Sequence, residues 1–254
     1  MSKRFFKPSI GPELLHRISR SSNRSIEIWT TTCIVTNFGK SRVHATLLIN
    51  PGNPQLSGVR NFPYFPRGGP VPKEKPMSMH KDWQPLGYVS QWGGMEVGTG
   101  MLYPVSVVDG LVHQLGGWRL ELECRMQKMM AMNGDVCPVG SAVKTSAGCK
   151  LLKDEYDEIV HTTPPFYKFH ENPHEYLSLC YERALKKAFE SHLRVATPLL
   201  GAGARGFPES EAIAVAAQMT NEWCTKDSTD SQCIIFGLLE ARQARELIDQ
   251  LEKG

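Results

Sequence analysis

The stretch RVATPLLGAGARGFPESE, residues 194–211, holds the pattern with the plainest chemistry. An apolar run, Arg194 to Leu200, reads as a strand; it feeds a loop with glycines at 201, 203 and 206, and the loop feeds a helix with Pro208 in its first turn. Glycines let backbone amides approach an anion closely, and a helix N-terminus adds its partial positive charge. A diphosphate is the natural guest of the loop from Gly201 to Phe207. A plain tight turn is the competing reading of the same residues.

The elements that must position this loop follow from periodicity. Ser25 to Thr32 and Ala45 to Ile49 read as strands, the second apolar throughout, as a strand covered on both faces is. Val107 to Leu115 and Arg119 to Asn133 read as helices, Ala142 to Ser146 and Glu158 to Thr162 as strands. Pro173 to His192 is an amphipathic helix with Leu177, Tyr181, Ala184, Leu185 and Ala188 on one face. After the glycine loop come a helix to Cys224, a strand over Cys233 to Leu238 and a last helix over Glu240 to Lys253. Strands alternating with helices imply an α/β fold with a largely parallel or mixed sheet covered on both faces. Residues 54–104 break every periodicity with Pro, Gly and aromatics, and are expected to form an insertion or lid, with Phe62, Tyr64, Phe65 and Trp92 as aromatics able to cover a ligand.

Four further segments accompany the glycine loop in a fixed order: NPGN at 50–53, VDGLVH at 108–113, PVGSAVKTSAGCKLL at 138–152 and EIVHTTPP at 158–165. Together with the loop they resemble the macro domain family, whose signatures look like N-A-A-N, a glycine run ending V-D-G-A-I-H, G-x-A-x-x-T-x-G-x-x-L, I-H-x-V-G-P and P-x-x-x-x-G-x-x-G-x-P. The resemblance runs from residue 25 to 252, interrupted by the insertion, and implies a three-layer α/β/α macro-type fold with a central mixed sheet. It also implies binding of ADP-ribose or a related nucleotide diphosphate-ribose, with hydrolysis of ADP-ribosyl or O-acyl-ADP-ribose bonds as the candidate activity. Asn53 aligns with the second Asn of N-A-A-N, which contacts the distal ribose, and Asn50 with the first. Asp109 aligns with the Asp that positions or activates a water near the anomeric carbon, beside Gly110. His113 follows at i+4, the spacing that brings two helical side chains together, and is placed to orient the carboxylate. Asn53, Asp109 and His113 are thus the implied catalytic set. Gly201, Ala202, Gly203, Ala204, Arg205, Gly206 and Phe207 are implied to wrap the diphosphate.

Each of these residues has a plainer reading: Asn53 as the closer of a turn, Asp109 as a helix cap, His113 as a structural partner, and His161 as a satisfied core histidine. The chain also departs from the family pattern. Thr32-Cys33-Ile34 stands where the family has G-D-I, so a weak thiol replaces the Asp that binds the adenine amino group, and Pro104 to Val107 stands where glycines precede V-D-G. Arg205 stands where an aromatic often shields the distal ribose, and its planar fork suits a phosphate. Two other readings therefore remain beside the hydrolase: a non-catalytic ADP-ribose reader, and a degenerate macro fold serving as a protein-interaction module.

Composition narrows the setting. The formal charge is +3, but residues 1–24 carry +5 and the remainder −2. A basic tail over 1–24 is expected ahead of a domain over 25–254, and its Arg and Ser content matches organellar targeting segments. The body is no electrostatic trap for nucleic acid, which is not expected as a partner except through ADP-ribosylated ends. The partners implied are ADP-ribose and ADP-ribosylated protein. Seven scattered cysteines without a C-x-x-C pair suggest neither a disulfide framework nor a zinc site, and fit an intracellular, cytoplasmic or nuclear setting. No cofactor, metal or membrane association is expected.

Overall fold

The computed structural model describes residues 11–19, 23–58, 107–131, 134–226 and 228–253, and the backbone of 65–66 and 101–102. Seven strands form one sheet: β1 (Glu13–Ser19), β2 (Arg24–Thr30), β3 (Leu47–Pro51), β6 (Ala142–Ser146), β7 (Glu158–Thr162), β8 (Arg194–Thr197) and β9 (Gln232–Leu238), in the order β1-β2-β9-β8-β3-β7-β6. The five inner strands run parallel, and β1 and β6 close the two edges antiparallel. β4 (Phe65–Pro66) and β5 (Met101–Leu102) pair antiparallel as a separate ribbon.

Strand alternation divides the apolar residues between two cores. Leu47, Ile49, Val160, Ile234 and Phe236 face one layer, made by α3 (Pro173–Ala188), α4 (Glu209–Cys224) and α5 (Ala241–Lys253). Leu48, Ile159, Cys233 and Ile235 face the other, where α1 (Val108–Met130) and α2 (Lys150–Lys153) pack. Full burial of each such aliphatic side chain contributes roughly 1.5–3 kcal/mol, so a strand apolar on both faces is held from two sides. This is the expected three-layer α/β/α arrangement around a mixed sheet.

One expectation changes. The boundary between tail and body at residue 24 is corrected: Glu13–Ser19 is an edge strand, registered on β2 from Glu13↔Thr30 to Ser19↔Ser25 with an irregularity between Leu14 and His16. Its Leu15 and Ile18 pack against the first core, a gain that outweighs the local positive charge. The two helices expected on either side of residue 117 are both present; they are labelled together as α1, and helical geometry breaks between them at Gly117 (φ 56°, ψ −152°), a conformation that favours glycine. Most of the insertion, including Phe62, Tyr64 and Trp92, lies outside the described residues, and the side chain of Phe65 does too.

Candidate functional site

Parallel pairing sets Asn50 opposite His161 at the C-terminal ends of β3 and β7, the end of a parallel sheet where α/β folds place their ligands. Both side chains share the face of Leu48 and Ile159, and so turn toward α1. The first turns of α1 answer with Asp109 and His113. Asn50 and His161 are fully buried, and Asp109 and His113 nearly so.

The four form one network. Asn50 Nδ2 donates to Asp109 Oδ1 at 2.8 Å and faces His161 Nδ1 at 3.0 Å; His161 Nε2 meets Thr145 Oγ1 at 2.9 Å. The Asn50 amide makes Nδ1 of His161 the acceptor, which leaves the proton on Nε2 for Thr145. Burial, and then the neighbouring His113, push the His161 pKa down to about 3, so the ring is neutral. His113 Nε2 lies 3.5 Å from Asp109 Oδ1, as the i, i+4 spacing demands, and among the described residues neither it nor Asn50 Oδ1 finds a hydrogen-bond partner. Asp109 stands in the first turn of α1, where the helix dipole favours its charge. The cap position belongs to Val107, so Asp109 is not the N-cap. Gly110 is buried beside it.

Asp109, His113 and His161 each bring a ligand atom within 4.8 Å of the others, a spacing compatible with a metal ion. The donor group of Asn50 points between Asp109 and His161, however. An N–H at that place is the wrong sign for a cation, so the cluster is built as a hydrogen-bonded support for Asp109.

Opposite stands the glycine loop. Gly201 (φ 87°) and Gly206 (φ 76°) take left-handed conformations, and a Cβ on Gly201 would lie 3.0 Å from Phe207 and 3.2 Å from Leu177. Gly206 N donates to Gly203 O at 3.1 Å and Phe207 N to Gly201 O at 3.2 Å, which curls the loop. Among the described residues, the amides of Gly203, Ala204 and Arg205 meet no protein acceptor. Ala202 and Ala204 are partly buried, while Gly203 is exposed, with nothing within 4 Å of where its Cβ would stand.

Arg205 joins the two walls. Its Nη2 donates to Gly52 O at 2.6 Å, and its guanidinium lies 4.3 Å over the Phe166 ring. Its carbonyl accepts from Tyr167 N at 3.0 Å. Burial lowers its pKa to about 10, with Asp109 acting in the opposite direction; the guanidinium stays charged at neutral pH.

The expected ligand set separates. Phe207 is a core residue, 1% exposed and packed against Tyr167 and His174 at ring distances of 5.1 and 5.8 Å, so its side chain does not face a ligand. Asn50 is buried, and its side chain holds Asp109. Asn53 closes the turn after β3: its Oδ1 accepts from Gln55 N, Ser57 N and Ser57 Oγ, and its Nδ2 donates to Gly58 O at 3.5 Å. His161 is the satisfied core histidine of the plainer reading. Thr145, Phe166 and Tyr167 were not singled out. Thr145 lies within the AVKTS strand and Phe166 just after EIVHTTPP, but neither type signals a site without the register that brings it there.

A mixed sheet covered on both faces, with a glycine loop and a buried carboxylate at the C-terminal ends of its parallel strands, defines an α/β domain. The comparisons give its family. The macro domain model matches residues 100–216. A macro domain-containing protein of Mesorhizobium japonicum is 36% identical over 152 residues, 58% of this chain and 80% of that protein. The chain belongs to the macro domain family. Mouse ADP-ribose glycohydrolase MACROD2 is 36% identical over 132 residues, 51% of this chain, but the match spans only 26% of the mouse protein. An Oceanobacillus iheyensis macrodomain solved with ADP superposes with a TM-score of 0.62 at 18% identity, covering 94% of this chain and 96% of that one. A Trypanosoma brucei macrodomain solved in complex with ADP gives 0.54 at 16% identity, covering 89% and 68%. The fold is therefore shared across the length of the chain.

Proposed function

We propose that this chain binds ADP-ribose, or a closely related nucleotide diphosphate-ribose, with the diphosphate on the loop from Gly201 to Gly206. The observation that carries this reading is the row of amides at Gly203, Ala204 and Arg205 that meet no protein acceptor among the described residues, in a loop whose Arg205 side chain reaches Gly52 beside the buried carboxylate of Asp109. Amides fixed by the glycine turns meet an anion without reorganising. Structures of similar fold solved with ADP, and relatives named ADP-ribose glycohydrolases, support the choice of ligand. The proposed partner is ADP-ribosylated protein, and the proposed setting is intracellular, supported by cysteines that are scattered along the sequence without a C-x-x-C pair.

Hydrolysis is the finer part of the proposal. Asp109, oriented by Asn50 and flanked by His113, would take a proton from a water that attacks the anomeric carbon as its bond to the modified side chain breaks through an oxocarbenium-like state and that side chain departs. With O-acetyl-ADP-ribose the same water would attack the ester carbonyl and acetate would depart. Asp109→Ala is expected to slow turnover of mono-ADP-ribosylated protein or O-acetyl-ADP-ribose by about a hundredfold or more, with a smaller change in ADP-ribose affinity. Equal losses of both would make Asp109 a structural residue. A non-catalytic reader is the second reading, favoured by the three donors already on Asn53 Oδ1. It is chosen if the wild-type chain binds ADP-ribose and cleaves neither compound.

A further inference from the structure

α1 serves the cleft only with its first turns, which carry Asp109 and His113. Beyond the break at Gly117 it runs on from Trp118 to Met130, roughly 20 Å of helix, and there its two faces differ. Leu120 and Cys124 are buried in the second core. On the opposite face Trp118, Leu122, Met126 and Met129 recur at the spacing of a single helical stripe, with Met130 at its margin. They are, in that order, 65, 50, 56, 80 and 68% exposed.

Single exposed apolar residues are ordinary, but a contiguous row of them is not. Five such side chains leave on the order of 500 Å² of apolar surface bare, toward the upper end of the largest patch on a typical monomer. With a fringe of polar contacts the row approaches the ~800 Å² per partner of a standard interface.

The row is also complementary to itself. Two copies of the helix can be set antiparallel about a twofold axis level with residue 123. Leu122 then meets its own counterpart across the axis, and Trp118 enters the gap between the partner's Met126 and Met129, the interlocking by which paired helices pack. The same register sets Glu121 opposite the partner's Arg125, and Arg125 opposite the partner's Glu121, along one flank of the row. Within one copy these two pair across a helical turn at 2.8 Å, so the exchange replaces one such contact by its equivalent. A helix of unrelated sequence would have to match both the row and its flank; a second copy does so by symmetry.

We propose that this face is a homodimer interface, in which α1 of one copy packs antiparallel on α1 of a second through Trp118, Leu122, Met126 and Met129, with reciprocal pairs between Glu121 and Arg125. An isologous contact of this kind closes on itself, so association stops at two. Asp109 and His113 lie in the turns before Gly117, outside the paired stretch.

Sedimentation velocity of the full chain over a hundredfold range of concentration, up to about 100 μM, tests this. Wild type is expected to pass from monomer to dimer within that range and to go no further. Leu122→Asp, which brings two carboxylates together at the axis, should stay monomeric throughout with a thermal melt like that of wild type. Glu121→Arg and Arg125→Glu should each weaken the dimer by about fivefold or more, because like charges then face each other. An equimolar mixture of those two variants should recover near wild-type strength as a heterodimer. A wild type that remains monomeric overturns the proposal and leaves the row to a partner of different sequence. A dimer that survives in folded Leu122→Asp overturns it by placing the interface elsewhere. A mixture that associates no more tightly than either charge variant alone overturns it too, since the antiparallel register requires the recovery.

Discussion

His161 shows how a single buried residue ties the site to stability. With Thr145 on one nitrogen and Asn50 on the other, and no contact with solvent, it cannot take a proton without losing a bond. Its pKa of about 3 lies below the ordinary value of 6.5. The unfolded chain therefore binds the proton first as pH falls. The stability this group contributes is whole above about pH 6.5 and is lost toward pH 3, at up to about 1.4 kcal/mol per pH unit. Urea melts from pH 7 to 4.5 should show that slope, and His161→Gln should flatten it; an unchanged slope would place the proton uptake elsewhere. Asn50 teaches a different lesson. The family resemblance implied a ligand contact for it, and only the strand register shows that its side chain meets His161 and Asp109. The inward turn of Phe207 was hidden for a related reason, because a loop of small residues does not reveal that its last side chain packs onto Tyr167.

At the scale of elements, β3 was legible because its residues Leu47 to Ile49 are apolar on both faces, and β6 and β7 stand where the sequence places them. β3 ends two residues later than expected, at Pro51, because β7 continues alongside it and carries Asn50 into the ladder. The glycine loop was legible by residue type, but not the crossing of Arg205 to Gly52, which depends on two walls meeting in space. Two substitutions test what the elements require. Gly201→Ala puts a Cβ against Phe207 and Leu177 at a positive φ, and should weaken ADP-ribose binding with a stability loss of about 1–3 kcal/mol. Gly117→Val meets Cys149 Sγ at 3.1 Å where α1 bends, and should lower stability by a similar amount. Chemical denaturation checks both, and a loss in Gly117→Val below about 0.5 kcal/mol would mean that the bend relaxes freely.

For the whole molecule, the sheet is completed by residues first read as a tail. Glu13–Ser19 was hidden by the charges around it, and its apolar positions are few. Deleting residues 1–19 should uncover the edge of β2, cost a few kcal/mol and promote self-association, as exposed strand edges do; size-exclusion chromatography reads the second effect. Among the described residues no helix is long and apolar enough to cross a membrane. The two walls of the cleft come from opposite layers, α1 on one side of the sheet and the loop before α4 on the other, so ligand binding depends on the assembled sheet more than on either motif. Calorimetric titration of ADP-ribose into the full chain and into Gly203→Glu bears most directly on this account. Position 203 has open space around it, so the variant should fold while setting a carboxylate where the diphosphate belongs. Saturable one-site binding to the wild type, competed by ADP and abolished in Gly203→Glu, is the expected result. No heat from the wild type, or full affinity in the variant, would contradict it.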